Sequence, residues 1–241
     1  MRDGINIVPL FVPETVRAVP AAAAKLTYRG GPLLTSVKVF TIFWGSQWDQ
    51  QTPDQLNQFF EYLVTSPLMD KLAEYSVPQY SIGPGSFLGT LQVTNQDPAS
   101  TVEDADIQTF IQSLIAAGSV PQPDNNTMYF VYLPSGVTVD QGGDASCQVF
   151  CGYHNAIASQ TFYAVMPYPD CDGCLGGMAV FDALTGTSSH EFCEAVTDPI
   201  PGQGWYDDSN GEIGDICAWK FEQMGTYTVQ QEWSNRANSC V

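Results

Sequence analysis

Apolar residues along this chain follow two spacings, one typical of buried strands and one typical of amphipathic helices. The run Val37–Trp44 is mostly apolar, rich in β-branched and aromatic residues, and followed by a glycine. This composition predicts a strand that is buried in a sheet. Three later runs have a similar composition and are expected to be strands as well: Phe87–Thr94, Met128–Leu133 and Thr161–Met166.

Three other segments indicate helices. After Thr52 and after Thr101, apolar residues recur every three or four positions, which predicts two amphipathic helices. A third helical region runs from Gly177 to about Val196, and Thr226–Trp233 is expected to be a last strand. The order is strand, helix, strand, helix, strand, strand, helix. It predicts an α/β fold, with α+β as the alternative, in which helices flank a mixed, mostly parallel sheet.

These elements predict a single layered domain over residues 34–241. Residues 1–33 are rich in proline and alanine and show no period, so we interpret them as an extended leader or a strap over the domain. Polar and proline residues such as Asp3 and Pro9 interrupt the apolar stretch near the N-terminus, which is not typical of a signal peptide.

The charge of the chain argues against some classes of partner. Its 241 residues include 8 lysines and arginines against 26 aspartates and glutamates, a formal net charge of −18. Such a surface repels phosphate backbones, so we expect no nucleic-acid partner. No apolar run approaches the roughly 18 residues of a membrane span, so we expect no membrane partner. Charged residues make up only 14% of the chain, which favours an extracellular protein, and we expect a monomer.

Seven cysteines lie in the C-terminal half, and their number favours disulfide bonds and an oxidising compartment. We expect Cys193 to be the free thiol, because it lies inside the third predicted helix. If the two closely spaced cysteine pairs cross-link, they can do so in two ways, and the remaining two cysteines bond each other. Alternatively, the first four cysteines bind zinc. The six residues expected to form disulfides are Cys147, Cys151, Cys171, Cys174, Cys217 and Cys240.

The sharpest local signal is the sequence H-E-F-C-E in the third predicted helix, which starts at His190. On a helix, His190 and Glu194 share a face, so both could bind one metal ion. The pattern is that of the zinc peptidase motif H-E-x-x-H with its second histidine replaced by glutamate. Zinc accepts both histidine nitrogen and carboxylate oxygen. Glu191 would then be the general base that takes a proton from the attacking water.

A site of this kind needs a third ligand, and several acidic residues follow the helix. Asp215 is the preferred candidate and Glu212 the second, because both follow Glu194 at about the distance that such sites use. Asp198 is a further option. Whichever of Asp215 and Glu212 does not bind the metal could orient His190 instead.

Two features allow other interpretations. The segment Asp207–Glu212 alternates oxygen-bearing side chains around a glycine, as calcium loops do, although it lacks the full EF-hand pattern. His154 is the only other histidine, and it lies in a C-x-x-x-C-G-x-H segment. It could be an extra ligand or stabilise an oxyanion, but we favour a structural histidine held beside a disulfide.

Several segments together resemble the EXORDIUM-like, phosphate-induced protein family of plant cell walls and its bacterial relatives. They include the strand that ends at Trp44, the C-x-x-x-C-G-x-H segment and the final Cys240. The bacterial branch of that family carries the longer pattern S-H-E-x-x-E-A-V-T-D-P, followed by E-I-G-D-x-C. This chain matches those two patterns at Ser189–Pro199 and Glu212–Cys217.

The resemblance implies a secreted, disulfide-bonded protein, and the bacterial branch is usually regarded as peptidases. It favours Asp215 as a ligand, because the plant pattern lacks the metal motif and keeps an acidic residue only near Glu212. The resulting hypothesis is a secreted zinc metalloprotease, a hydrolase acting on protein or peptide substrates. The alternative is a non-enzymatic cell-wall or carbohydrate-associated protein with a structural calcium or zinc site. A carboxyl peptidase without metal is a third option.

Overall fold

The computed structural model of the chain describes residues 7–12 and 23–241. Its helices are α1 (Gln51–Leu63), α2 (Pro67–Leu72), α3 (Asp104–Ala116), α4 (Asp172–Leu175) and α5 (Val180–Thr197). Its strands are β1 (Ile7–Pro9), β2 (Thr27–Tyr28), β3 (Lys38–Trp44), β4 (Ser86–Val93), β5 (Thr101–Glu103), β6 (Thr127–Tyr132), β7 (Thr138–Gln141), β8 (Asp144–Ala145), β9 (Phe150–Ile157), β10 (Thr161–Met166), β11 (Trp205–Tyr206), β12 (Phe221–Met224), β13 (Tyr227–Gln230), β14 (Trp233–Ser234) and β15 (Ser239–Cys240).

The main sheet has six strands in the order β1-β9-β10-β6-β3-β4. Strands β10, β6, β3 and β4 are parallel to one another, whereas β9 and β1 are antiparallel to their neighbours and form one edge. The other sheets have two or three short strands each. Helices flank the main sheet, so the predicted α/β fold with a mixed sheet is confirmed.

The central strands are buried on both faces, which explains their nearly continuous apolar sequences. In β6, Met128 and Phe130 belong to one core and Tyr129 and Val131 to the other, because successive side chains point to opposite faces. Helices α1, α2 and α5 contribute to the first core, and α3 contributes to the second. Hairpin β12–β13 packs on α5 and covers that helix on the side away from the sheet.

Three parts of the fold differ from the sequence prediction. Strand β9 was not predicted, although together with the short strand β1 it forms one edge of the main sheet. The region from Thr226 onward is a hairpin partner, β13, and the separate short strand β14, not one strand. Within the N-terminal 33 residues, Ile7–Pro9 joins the main sheet and Thr27–Tyr28 pairs with β11, while 1–6 and 13–22 lie outside the described residues. Each helix in the described part of the chain is too short or too polar to cross a bilayer.

Candidate metal centre

Helix α5 runs through the interior of the protein and presents His190 and Glu194 on one face. All of its residues from Ala183 to Thr197 are buried, between the sheet on one side and hairpin β12–β13 on the other. The four-residue spacing brings His190 Nε2 to 2.9 Å from Glu194 Oε1. The two side chains that the sequence motif singled out are therefore neighbours in a site without exposed surface.

The turn Asp215–Cys217 brings a third donor to this pair. The backbone N–H of Asp215 donates a hydrogen bond to Glu194 Oε1 at 3.2 Å. One donor atom each from His190, Glu194 and Asp215 lies within 4.8 Å of the others. Gly214 permits this approach, because a Cβ atom there would lie 2.8 Å from the Nδ1 atom of His190. The structure thus brings together the histidine, the helical glutamate and the preferred downstream acid.

Gln230, at the end of β13, determines which nitrogen of His190 faces the acids. Its amide Nε2 donates to the carbonyl oxygen of Gly214 at 2.9 Å, and its Oε1 accepts the backbone N–H of Trp219 at 3.3 Å. Because Oε1 is an acceptor, His190 Nδ1, at 3.1 Å, must donate its proton to it. Nε2 then faces Glu194 and Asp215, where a metal ion could take the place of its proton.

Sequence reasoning missed Gln230. It stands 40 residues from His190 in the chain, and nothing in its own sequence marks it as a partner of a ligand. The one available signal is its register in β13. A polar glutamine directly follows the buried Val229 at the end of this strand, whose other residues are tyrosine, threonine and valine.

Glu191 lies next to the ligands on α5 but faces strand β9. Its Oε2 is 3.0 Å from His154 Nδ1, and its Oε1 has no hydrogen-bond partner among the described residues. His154 Nε2 lies 3.1 Å from the carbonyl oxygen of Asp198, which can only accept, so this nitrogen carries a proton. Burial raises the pKa of Glu191, although the hydrogen bond from His154 opposes the shift.

His154 lies inside the acidic cluster, and the favoured interpretation of it as a histidine beside a disulfide misses this position. Its ring nitrogens are 3.5 Å from Glu194 Oε2 and 3.7 Å from Glu212 Oε1, in addition to the contact with Glu191. Burial lowers the pKa of His154, but the charge of Glu212 and the hydrogen bonds to the other two carboxylates raise it well above its usual value. His154 therefore acts as a buried positive charge among three acids.

The other downstream acids occupy different positions. Asp198 accepts hydrogen bonds from the backbone N–H groups of residues 202–204, so its oxygens hold that loop. Glu212 is fully buried on the Nε2 side of His154, while its backbone N–H donates to Asp215 Oδ2 at 2.9 Å. Of the three candidates for the third ligand, Asp215 is the one grouped with His190 and Glu194.

A second group of donors, His154, Glu191 and Glu194, also lies within 4.8 Å. The hydrogen bonds distinguish the two groups. Both nitrogens of His154 are engaged, one by Glu191 and one by the carbonyl of Asp198. His190 Nε2, in contrast, makes no hydrogen bond of acceptable geometry within the described part of the chain. The group around His190 is the better candidate for a metal.

The pKa values of the three donors reflect a shortage of positive charge. Burial raises the pKa of Asp215, and the charge of Glu194 raises it further, to about 8. Burial acts in the same direction on Glu194, but the charge of His190 and the close approach of both histidines lower its pKa to about 2. Burial lowers the pKa of His190, but Glu194 outweighs it and raises the pKa well above its usual value. A divalent cation would replace protons held by these groups.

The cysteines form the three predicted disulfides, and Cys193 is free and buried. The first four cysteines do not form a zinc site. They form two disulfides that join β9 and the turn before it to the segment around α4. The third disulfide joins the turn of Asp215 to β15. These bonds fit an oxidising compartment.

In the segment Asp207–Glu212, which resembles a calcium loop in sequence, Asp207 accepts hydrogen bonds from backbone N–H groups with both of its carboxylate oxygens. Asp208 forms an ion pair with Arg29.

The surroundings of the donor set are enclosed. His190 and Glu194 are each 0% exposed and Asp215 is partly buried, and this set of one imidazole nitrogen and two carboxylates matches the ligands that zinc uses. A scan against protein-family models, a search of curated proteins and a search of solved structures find no match to this chain. The function is therefore inferred from the geometry of this site.

Proposed function

We propose that this protein is a zinc metallopeptidase. The observation that carries the proposal is the orientation of His190: Gln230 Oε1 accepts a hydrogen bond from Nδ1, and Nε2 faces Glu194 and Asp215. The same arrangement of a metal-binding histidine and an acceptor behind it is a general feature of metal sites. Nε2 lies 2.9 Å from Glu194 Oε1 but makes no hydrogen bond of acceptable geometry to a described residue, which is uncommon for a buried polar atom.

The donor set favours zinc over calcium. Zinc binds histidine nitrogen and carboxylate oxygen at three or four positions, and catalytic zinc sites have three protein ligands and one open position. Calcium takes six to eight oxygen ligands. His190, Glu194 and Asp215 supply one nitrogen and two carboxylates. When bound there, zinc would polarise a peptide carbonyl and make water a better nucleophile.

Glu191 is the proposed general base. It precedes the ligand Glu194 by three residues, and its Oε1 has no hydrogen-bond partner among the described residues. Glu191 accepts a proton from the attacking water while the water oxygen bonds to the carbonyl carbon. It then transfers that proton to the amide nitrogen as the C–N bond breaks. His154 donates to Oε2 of Glu191 and so fixes the orientation of the carboxylate.

We also propose that the protein is secreted and that it belongs to the bacterial branch of the EXORDIUM-like family. The three disulfides support secretion, because such bonds persist in oxidising compartments. The match to the longer motif at Ser189–Pro199 and Glu212–Cys217 supports the family assignment. Both elements of that motif supply residues of the candidate centre.

The test is hydrolysis of an unfolded protein by the zinc-loaded chain, with and without a chelator. We expect a low rate, since the donors are buried, that is abolished by the chelator and restored by zinc. Hydrolysis that persists in the chelator would support a carboxyl peptidase instead. Absence of hydrolysis by the zinc-loaded protein, with or without residues 7–12, would support the non-enzymatic alternative.

A further inference from the structure

Most of the candidate centre is closed to a peptide in this structure, and of its four residues Asp215 alone is partly exposed. His190, Glu191 and Glu194 have no exposed surface. A polymer substrate can reach them only if an element that covers them moves. Helix α5 and hairpin β12–β13 belong to or pack against the main core, so neither can leave without unfolding the protein. The three-residue strand β1 is not part of that core, because its buried residue, Val8, belongs to a small separate cluster.

Strand β1 is the outermost strand of the main sheet on the side of β9. It pairs antiparallel with β9, with Val8 opposite Gly152. It also contacts α5 and the turn Asp215–Cys217, the two elements that carry the candidate ligands. Without β1, the outer N–H and C=O groups of β9 would form a free edge, which pairs readily with another extended chain.

Gly152 connects this edge with the proposed general base. A Cβ atom at Gly152 would lie 2.8 Å from Thr187 Cγ2 and 3.4 Å from Glu191 Oε1. The Glu191 oxygen that has no hydrogen-bond partner among the described residues therefore lies against the backbone of β9, at the position opposite Val8. A peptide chain paired with β9 in place of β1 would pass directly beside the base.

The segment Ile7–Val12 is held by backbone hydrogen bonds and by a small apolar cluster around Val8. Two backbone contacts add to the pairing of β1 with β9. The carbonyl oxygen of Pro9 accepts a hydrogen bond from the indole N–H of Trp219 at 2.8 Å, and the backbone N–H of Phe11 donates to the carbonyl oxygen of Gly173 at 2.8 Å. Val8 is 3% exposed and fills an apolar site, whereas Phe11 and Val12 are 38% and 40% exposed. The segment Ile7–Val12 carries no charged side chain.

We propose that the outer edge of β9 is a binding surface for an extended, uncharged peptide segment, and that Ile7–Pro9 occupies this edge in the intact chain. The substrate would add antiparallel to β9, with main-chain hydrogen bonds for affinity and an apolar side chain at the position of Val8. Cleavage of the bound peptide rests on the proposed function, but peptide binding does not. The N-terminal strand is on this account a competitor of the substrate.

The test compares Val8→Arg with Val12→Arg. The first variant places a charge in the buried site and should release β1, and the second places the same charge on an exposed residue. The probe is a fluorescein-labelled synthetic peptide with the sequence of residues 5–12, measured by fluorescence anisotropy on zinc-loaded protein. We expect Val8→Arg to bind the peptide at least about tenfold more tightly than the intact chain and Val12→Arg to match the intact chain. Equal binding by all three, with zinc content and cooperative unfolding retained, would overturn the proposal.

A second measurement decides the matter if Val8→Arg does not fold. A recognition sequence for a specific protease, inserted between residues 13 and 22, allows β1 to be cut from the rest after folding and removed by gel filtration. The cut protein should gain peptide binding, and no gain would overturn the proposal. Binding without cleavage of an unfolded protein would support the binding surface and contradict the peptidase. Cleavage at the same rate with and without β1 would support the peptidase and overturn this proposal.

Discussion

Gln230 accepts a hydrogen bond from Nδ1 of His190 at 3.1 Å and thereby turns Nε2 toward Glu194. The amide is itself fixed, because its Nε2 donates to the carbonyl of Gly214 and its Oε1 accepts from Trp219. Helix α5, the end of β13 and the segment from Gly214 to Trp219 therefore together determine which nitrogen of His190 faces Glu194. This contact distinguishes a prepared metal ligand from a histidine on a helix face.

Replacing Gln230 tests this orientation. Gln230→Leu should weaken zinc binding about 10- to 100-fold, the usual effect of losing the partner behind a metal-binding histidine. Gln230→Glu keeps an acceptor for Nδ1 and should restore part of the affinity. Chelator competition measures the affinity, and Gln223→Leu, an exposed glutamine on the neighbouring strand, serves as the control. Unchanged affinity in Gln230→Leu would show that Nδ1 needs no partner.

Glu191→Gln separates metal binding from chemistry. The amide cannot take a proton from water, so hydrolysis of an unfolded protein should fall at least about 100-fold. The zinc content should stay unchanged, because Glu191 is not in the donor group around His190. The Val8→Arg background gives the more sensitive assay. Glu232→Gln is the matched control, since Glu232 is also buried but lies in neither donor group. Activity retained in Glu191→Gln would remove Glu191 from the mechanism.

Gly214→Ala tests the close approach of the Asp215 turn to the histidine ring. The added Cβ atom would lie 2.8 Å from His190 Nδ1, and the buried ring has no space to retreat. Such overpacking costs about 1–3 kcal/mol, so the free energy of unfolding should fall by that amount and zinc binding should weaken. At Gly83 a Cβ atom would meet nothing within 4 Å, so Gly83→Ala should leave both properties unchanged. Equal behaviour of the two variants would argue against the contact.

The stability of the metal-free protein should depend on pH in a defined direction. Burial and the charge of Glu194 raise the pKa of Asp215 to about 8. The folded chain therefore keeps a proton that the unfolded chain releases near pH 4, and the free energy of unfolding should fall between about pH 4 and pH 8. Zinc replaces that proton, so its stabilising effect should grow over the same range.

Urea unfolding at several pH values, with chelator or with zinc, measures both slopes. Asp215→Asn should reduce the slope of the metal-free protein, with the remainder due to other buried groups such as Glu212 and Glu232, and remove most of the stabilisation by zinc. Asp208→Asn, a substitution on an exposed side chain, should change neither slope. A metal-free protein that becomes more stable from pH 4 to pH 8 would contradict the burial of a protonated Asp215.

The sequence predicted the parts of the fold that have strong local patterns. The doubly buried strands β3, β6 and β10 show long apolar runs, and the two candidate ligands on α5 share a face because of their spacing. The free Cys193 and the six cysteines that form disulfides were also predicted and are confirmed, whereas the pairing of the first four was left open.

The missed parts depend on contacts between distant segments. Strand β9 contains Gly152, His154 and Asn155, which interrupt its apolar pattern, and its outer partner β1 lies more than 140 residues away. The spacing could not decide between Glu212 and Asp215, because both lie near one short turn. Their difference arises from the fold, which directs one toward His154 and the other toward His190.

The metal content of the purified protein tests the central claim most directly. Mass spectrometry of protein that has not been exposed to a chelator, a strong acid or added metal should find about one zinc ion per chain. Glu194→Ala should lose that zinc, because it removes a donor that lies 2.9 Å from His190 Nε2, whereas Asp208→Ala should keep it. Calcium in place of zinc, zinc retained by Glu194→Ala, or no metal at all would contradict the account.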